Sequence, residues 1–241
     1  MFRKVLFGAL TLLLALCLVG CGGKKDDAAK KDEAAAAPKA EEKVETPTGS
    51  PDKAVLAYAQ LYSYGVIEDE NMAAAGMTEK DVEEVQNQIF TSLVNSFKEY
   101  PLNDESVAKM TEQYVAKLHK DMNIKATVKK EDKTHPVVEL TASTIDQASA
   151  KKIAENNADL LALGEAYGEL KAQGLTDDQL KESAEFQQFA IDSITKYINE
   201  FPLAPATSMD FTCQMVQGTD GKVYWAPEDP TAVAKFVTAQ K

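Results

Sequence analysis

The sequence predicts an α+β fold: amphipathic helices packed on one face of a mostly antiparallel, roughly four-stranded sheet. Three observations support this fold class. Apolar residues recur at three- and four-residue steps in several segments, which is the period of a helix with one buried face. Two further segments alternate apolar and polar residues on either side of a turn, as antiparallel strand pairs do. Of the 241 residues, 44% are hydrophobic, so the chain has enough apolar surface for a packed core.

The first twenty residues have the layout of a secretory signal peptide. Arg3 and Lys4 precede an apolar run of fifteen residues, Val5 to Val19, and Gly20 follows the run. A membrane-spanning helix needs about 20 apolar residues, so this run is too short for a comfortable anchor helix. A short positive region, an apolar run and a small residue are together typical of a leader that is removed. We therefore expect residues 1–20 to direct export and then to be cleaved.

Leu18, Val19 and Gly20 stand directly before Cys21, and these four residues resemble the lipobox of bacterial lipoproteins. The resemblance implies that signal peptidase recognises the three residues and cuts before Cys21. It also implies that the Cys21 thiol carries a diacylglyceryl group, with acyl chains such as palmitate, which anchors the chain to the extracytoplasmic face of the cell membrane. The alternatives are an ordinary signal peptide that happens to end near a cysteine, or an uncleaved anchor helix.

The cysteines fit an exported chain without internal disulfides. Cys17 lies inside the leader and Cys21 at the lipid site, which leaves Cys213 as the third and last cysteine. Cys213 belongs to an apolar alternation and has no His or Lys beside it in sequence. We expect its thiol to be buried as a small hydrophobic group, the alternative being a reactive thiol.

Residues 21–50 are expected to form a tether, with the lipidated Cys21 at its start. Gly22–Ser50 contains no aromatic residue and one large aliphatic residue, Val44. This segment has too little apolar surface to offset the entropy lost on ordering, so the sequence predicts disorder. A flexible chain of this length has an average reach of roughly 30 Å, enough to hold a domain away from a membrane surface.

Residues 51–241 are expected to form a single α+β domain with six helices and two hairpins. The helices are predicted from their apolar stripes, and several begin at a capping residue or at proline. Their predicted starts are Pro51, Thr78, about Asp104, Asp146, Thr176 and Pro230.

The two hairpins of this domain are predicted from alternating segments. Ile124–Val128 pairs with Val138–Ala142 in the first, and Met209–Met215 pairs with Lys222–Trp225 in the second. In the second hairpin a three-residue loop with Gly221 as a bulge pairs Met215 with Trp225 and keeps the apolar side chains on one face. Trp225 is therefore expected in the core, whereas a two-residue loop would turn it to the polar face.

Two stretches of the domain resemble each other. Gly76–Val82 parallels Gly174–Leu180, and the helices that follow both end in an acidic residue, an aromatic residue and a Pro-Leu pair. One interpretation is a duplicated unit with pseudo-repeat halves at 51–144 and 145–241. The other is convergence, because Gly, Thr and Pro at helix joints are what capping and termination require.

The charge balance excludes one class of partner. With 26 basic and 38 acidic residues, the chain has a formal net charge of −12. A nucleic-acid-binding protein needs a clustered basic surface, so no nucleic acid is expected as a partner.

No catalytic or metal-binding motif stands out in the sequence. His119 and His135 have no ligand grouping around them and are expected at the surface. Glu68–Glu70 and Asn103–Glu105 are expected as acidic loops, without the ligand spacing that a metal site needs. We therefore predict no catalytic residue, no metal and no cofactor, and a protein that is not an enzyme.

Four aromatic residues are candidate contacts for a ligand or partner: Tyr58, Tyr62, Tyr64 and Phe189. Tyrosines at helical spacing fit either a ligand-binding wall or a core edge whose hydroxyls reach water. Phe189 lies roughly opposite the apolar stripe of its helix, so it either meets a neighbouring helix or forms an exposed contact point. The glycines of the Gly164–Gly168 segment permit close helix approach, as local packing or as a dimer seam.

Taken together, the lipobox, the tether rich in Lys, Ala and Glu, and the helix-then-hairpin domain resemble uncharacterised lipoproteins of low-GC Gram-positive bacteria, a family whose C-terminal domain has no known function. The resemblance supports the fold and implies no active site. We predict a membrane-tethered, extracytoplasmic, non-enzymatic binding or interaction module of the cell envelope. Its partners are the membrane, through the Cys21 lipid, and an envelope protein or small ligand. The alternatives are a cell-envelope enzyme with an unrecognised carboxylate site and a small solute-binding receptor; the oligomeric state stays open.

Overall fold

The computed structural model describes residues 46–97 and 100–239. The predicted leader, the lipobox and Cys21 lie outside the described residues. Within the described ranges the chain forms nine helices and four strands, and the α+β prediction is confirmed. In chain order the elements are α1 Pro51–Tyr64, α2 Asp69–Ala75, α3 Glu79–Phe97, α4 Asp104–Asp121, β1 Lys125–Lys130, β2 Val137–Ala142, α5 Gln147–Asn156, α6 Ala158–Ala172, α7 Asp177–Glu182, α8 Ala184–Asn199, β3 Thr207–Gln217, β4 Val223–Pro227 and α9 Pro230–Val237.

The sheet has the strand order β1-β2-β3-β4, and every pairing is antiparallel. The long β3 pairs with β2 over Thr207–Thr212 and with β4 over Cys213–Gln217. Met215 is paired with Trp225, so the predicted register of the second hairpin is confirmed. Gly221 has a φ of +80°, the left-handed conformation that the predicted bulge position requires.

One face of the sheet is covered by helices and the other meets water, as predicted. Helix α1 contacts all four strands, and α9 packs on α1 and β4. The sheet cluster between them is a hydrophobic core that draws its buried residues from these elements, from α2 and from the end of α4: Ala54, Val55, Ala57, Ala59, Tyr64, Ala75, Leu118, Met122, Val138, Leu140, Phe211, Cys213, Trp225, Val233 and Val237. On the opposite face the Lys129 ammonium donates to Asp210 at 3.0 Å and to Glu139 at 3.3 Å, which links three strands.

A second core, the helical cluster, lies among α4, α5, α6, α7 and α8. Its largest fully buried side chains are Met110, Leu163, Leu180 and Ile194. Helix α4 contributes to both cores, since its first half supplies Met110 to the helical cluster and its last turn supplies Leu118 to the sheet cluster. This helix therefore joins the two cores into one body.

Three element boundaries differ from the prediction. The helix predicted from Asp146 is interrupted at Asn157, whose side chain caps α6 by accepting the Leu160 amide N–H at 3.0 Å. The helix predicted from Thr176 is interrupted at Ser183, which caps α8 in the same way by accepting the Phe186 amide N–H. The acidic loop predicted at Glu68–Glu70 instead begins α2, where Asp69 and Glu70 occupy the first turn. Acidic side chains there are favoured by the helix dipole.

The second acidic segment, Asn103–Glu105, is also part of a helix end. Asn103 caps α4 by accepting the Ser106 amide N–H at 2.8 Å, and Asp104 and Glu105 form the first turn. The prediction of a helix from about Asp104 is confirmed, and the prediction of an acidic loop is wrong at these residues.

The internal similarity stays a prediction. Each core takes residues from both proposed halves, because the helical cluster combines Tyr100–Met110 with Ala150–Phe201, and the sheet cluster includes residues from both hairpins. The end of the first similar stretch lies beside the start of the second: the buried Gln187 amide of α8 donates to the carbonyls of Pro101 and Leu180 and accepts the Asn103 amide N–H. The Gln187 side chain thus holds the Pro101–Asn103 segment against the end of α7.

Candidate functional site

A cleft of about 490 Å³ opens at one end of the interface between α1 and the sheet. This volume lies within the range of small-molecule sites in proteins. The cleft is bounded by the start of α1, by strands β1 and β4, and by the loop between β1 and β2. Its lining residues are Ser50, Pro51, Val128, Glu131, Asp132, Lys133, Pro136 and Trp225.

The walls and floor of the cleft are apolar. Trp225, the single tryptophan of the chain, lies at the floor with 7% of its surface exposed and belongs to the sheet cluster. Pro51 occupies the first turn of α1, where its missing N–H costs no hydrogen bond. Pro136 precedes β2, and its carbonyl accepts the Cys213 amide N–H at 2.8 Å. The strand pairing therefore holds the apolar part of the site in a fixed position.

The rim of the cleft is charged and comes from the β1–β2 loop, where Glu131, Asp132 and Lys133 are exposed. One carboxylate oxygen of Asp132 accepts the backbone N–H groups of Thr134 and His135, each at 2.9 Å. These two bonds, with a third from the Thr134 hydroxyl, lower the pKa of Asp132 to about 2. The loop is thus ordered by its own aspartate, and the rim keeps a defined shape at neutral pH.

The residues that lead into α1 are part of the folded domain, which corrects the prediction that the disordered tether extends to Ser50. We call Thr46–Ser50 the strap. The Thr48 amide N–H donates to the Val223 carbonyl at 2.7 Å, and Thr48 forms a parallel bridge with Tyr224 of β4. Gly49 has a φ of +75° and lies so close to α2 that a Cβ atom there would stand 2.6 Å from the Ala74 Cβ. Only glycine fits this position without movement of the backbone.

The end of α2 also makes a close approach to β4. A Cβ atom at Gly76, directly after α2, would lie 2.5 Å from the ring of Tyr224. The Tyr224 hydroxyl donates to Asp220 at 2.7 Å, which keeps the ring in place. The strap, the end of α2 and β4 therefore pack as one unit beside the cleft.

The predicted tyrosine contacts lie elsewhere on α1 and do not line the cleft. The rings of Tyr58 and Tyr62 are 6.3 Å apart and half-buried. Burial is the main cause that raises the pKa of Tyr58 to about 12, with smaller contributions from Tyr62 and from Asp81 of α3. Tyr64 is buried, and its ring packs edge-on against His119 at 5.1 Å. Tyr64 is a core residue, and a contact role for Tyr58 and Tyr62 stays a prediction.

Phe189 lies on α8, with 38% of its surface exposed. It is therefore exposed rather than packed fully against a neighbouring helix, and the structure does not bring it together with the tyrosines of α1. The glycine pattern of α6 gives no tight contact at Gly168, because a Cβ atom there would meet no heavy atom within 4 Å.

Three titratable side chains that do not line the cleft have shifted pKa values with structural causes. Asp81 and Asp146 are bonded to capping Thr78 and to Ser149, and these hydrogen bonds lower the pKa of both carboxyls. The Cys213 thiol is fully buried, and burial raises its pKa to about 12, as expected for a small hydrophobic group rather than a reactive thiol.

His119 and His135 are exposed, as predicted. Among residues 46–97 and 100–239, no three His, Cys, Asp or Glu side chains cluster as metal ligands. In the same ranges no helix is both long enough and apolar enough to cross a membrane.

The cleft is not recognisable from the sequence, because its lining contains no reactive motif. The cleft is built from Pro51, Val128, Pro136 and Trp225, which are remote in sequence and ordinary in type. The single tryptophan is the one signal in the sequence, and hairpin register predicts only that it lies in the core.

Comparison with known proteins gives a structural similarity but no family. No protein-family model matches the chain, and no curated protein matches its sequence. The crystal structure of a Bacillus subtilis protein named "putative lipoprotein" is similar to this chain, with a TM-score of 0.48 and 15% sequence identity. The match covers 79% of this chain and 56% of that protein, so the chain spans little more than half the length of its structural neighbour.

Proposed function

We propose that this protein is a lipid-anchored lipoprotein of the cell envelope, whose extracytoplasmic domain is a non-enzymatic binding module. The observation that carries the proposal is the N-terminal sequence, in which a positive start and a short apolar run end at Leu18-Val19-Gly20-Cys21. The positive start and the short apolar run are typical of a secretory leader, and the last four residues resemble a lipobox. The anchor would hold the acidic domain outside the cell on a tether with a reach of roughly 30 Å.

The cleft supports the binding role of the domain. It has an apolar floor at Trp225 and Val128 and a charged rim at the β1–β2 loop. Ligand sites commonly combine an apolar lining with a few placed polar groups. Hydrogen bonds at helix caps and in a turn lower the pKa values of Asp81, Asp132 and Asp146, so these carboxylates have structural hydrogen-bond partners.

The anchor is tested by changing Cys21 to serine and measuring the intact mass of the protein from cell membranes. The unchanged protein should begin at Cys21 and carry the added mass of a diacylglyceryl group. Cys21→Ser should lose the lipid, and the protein should appear in the medium or keep its leader.

Cys17→Ser is the matched control, because Cys17 lies inside the predicted leader. It should leave the mass of the mature protein and its membrane retention unchanged. A bare Cys21 thiol in the native protein, or full membrane retention of a Cys21→Ser protein that has lost its leader, would contradict the proposed anchor.

A further inference from the structure

We propose that the cleft binds an organic cation: a small primary amine whose apolar body lies over Trp225 and whose ammonium group lies at the β1–β2 loop. The inference rests on the proposed function, in which the cleft is a binding site, and it adds the chemical class of the ligand. Two features of the cleft support this class, namely its division into an apolar and a charged part, and the excess of carboxylates around it.

The cleft has an apolar part and a charged part on different elements. Its floor and walls include Trp225 of β4 and Val128 of β1, whereas its charged lining residues all come from positions 131–133 of the β1–β2 loop. Small-molecule sites commonly combine an apolar lining with a few polar groups that fix the orientation of the ligand. A ligand of the 490 Å³ cleft is therefore expected to have an apolar body and one charged end at this loop.

The loop presents carboxylate oxygens that a ligand can reach. Glu131 is exposed and has no ion pair or hydrogen bond within the described part of the chain. The three hydrogen bonds that Asp132 accepts in the loop all go to one of its oxygens, which leaves the second oxygen for a donor from the ligand. Since the pKa of Asp132 is lowered to about 2, this group is ionised at neutral pH.

Two further carboxylates lie near the inner side of the cleft. Burial is the main cause that raises the pKa of the Cys213 thiol, and the negative charges of Glu228 and Asp52 raise it further. The Cys213 amide N–H donates to the carbonyl of Pro136, which lines the cleft. The field of both carboxylates therefore reaches the wall of the cleft as well as the thiol.

The positive groups near the cleft do not balance these four carboxylates. Lys133 is part of the lining, and Lys130 lies close enough to Asp132 to lower the pKa of that carboxyl. The N-terminus of α1 has a positive dipole, which Asp52 in its first turn offsets. Because the whole chain has a formal net charge of −12, its long-range field also attracts cations.

The test titrates the purified full chain with three probes of similar shape: the cation phenethylamine, the neutral 2-phenylethanol and the anion 3-phenylpropionate. Trp225 is the only tryptophan, so a change in tryptophan emission reports a ligand at the floor of the cleft. Isothermal titration calorimetry measures the three affinities. Phenethylamine should bind about fivefold or more tightly than 2-phenylethanol at low salt, and this advantage should shrink as salt screens the charges. The anion should bind most weakly.

Single charge changes locate the ammonium group. Glu131→Gln should weaken phenethylamine binding about two- to fivefold, as expected for an exposed ion pair, and leave the affinity for 2-phenylethanol unchanged. Lys133→Gln should strengthen phenethylamine binding by a similar factor, because it removes a like charge. Glu112→Gln is the matched control, since Glu112 is exposed on α4, outside the lining, and its loss changes the net charge equally. It should leave all three affinities unchanged.

Equal binding of the three probes would overturn the cation and leave the cleft a binding site. Tightest binding of 3-phenylpropionate, or weaker phenethylamine binding in Lys133→Gln, would overturn it in favour of a ligand with an anionic group. An unchanged affinity for phenethylamine in Glu131→Gln would overturn the position of the ammonium group. Binding of none of the probes would overturn both the inference and the binding role of the cleft, whereas the lipid anchor is tested separately by the mass measurement on Cys21.

Discussion

Replacement of Trp225 by alanine should destabilise the domain by about 3–4 kcal/mol. Trp225 is 7% exposed and packs in the sheet cluster. A buried aromatic side chain removes about 150–250 Å² from water, which at about 25 cal/mol per Å² is worth roughly 4–6 kcal/mol. Alanine keeps the Cβ atom, and the neighbouring cleft lets water enter the vacated space, so the expected loss lies at the lower end of large-to-small substitutions.

The loss is measured by urea unfolding of the full chain, followed by far-ultraviolet circular dichroism, because the substitution removes the only tryptophan. Phe189→Ala is the control, since Phe189 is 38% exposed on α8. Its expected loss is about 1 kcal/mol or less. A loss below about 1 kcal/mol for Trp225→Ala, or equal losses for the two variants, would refute the placement of Trp225 in the core.

Two further predictions follow from local geometry. Gly168→Ala should stabilise the domain by about 0.5–1 kcal/mol in the same urea assay, because glycine inside a helix is unfavourable and the added Cβ meets no neighbour; a loss of stability would show that Gly168 is in contact after all. The Asp132 carboxyl should titrate at about pH 2 by nuclear magnetic resonance. Because its folded pKa is lowered, its stabilisation of the β1–β2 loop is present above the ordinary aspartate range and is lost as the pH falls through about 2. A titration midpoint near the ordinary aspartate value of about 4 would contradict the hydrogen bonds that the Asp132 carboxylate accepts.

Most helix starts were predictable because their signals are local. Pro51, Asn103 and the Asp229-Pro230 pair each begin a helix at or next to the expected residue. The register of the second hairpin followed from keeping Met215 and Trp225 on one face, which is also a short-range argument. Helix capping and apolar alternation act over a few residues, so the local sequence is enough to predict these helix starts and this register.

The helix break at Asn157 depends on contacts that the local sequence does not show. Asn157 is buried, and its side-chain amide donates to Glu200, beyond the end of α8, at 2.9 Å. The apolar stripe continues through this position, so periodicity alone predicts one long helix. The cap at Asn157 is favoured because a remote carboxylate completes its hydrogen bonding.

The cleft and the strap were missed for a similar reason. Gly49 reads as the end of a polar tether, and its role is visible only when Ala74 of α2 lies against it. The floor and walls combine Pro51, Val128 and Trp225 from three separated elements. A surface formed by tertiary packing of unreactive side chains leaves no motif in the sequence.

The division of β3 between two partners has a consequence for the order in which the molecule can form. The first half of β3 pairs with β2 and its second half pairs with β4. The strand therefore joins the β1–β2 hairpin to β4, which is synthesised later. In a polypeptide that emerges N-terminus first, the edge of β2 that pairs with β3 stays unpaired until Thr207–Gln217, near the end of the 241 residues, has been made. Pairing over such sequence separation is slow, and the interval before it is the period in which the chain is most open to misassociation with its neighbours.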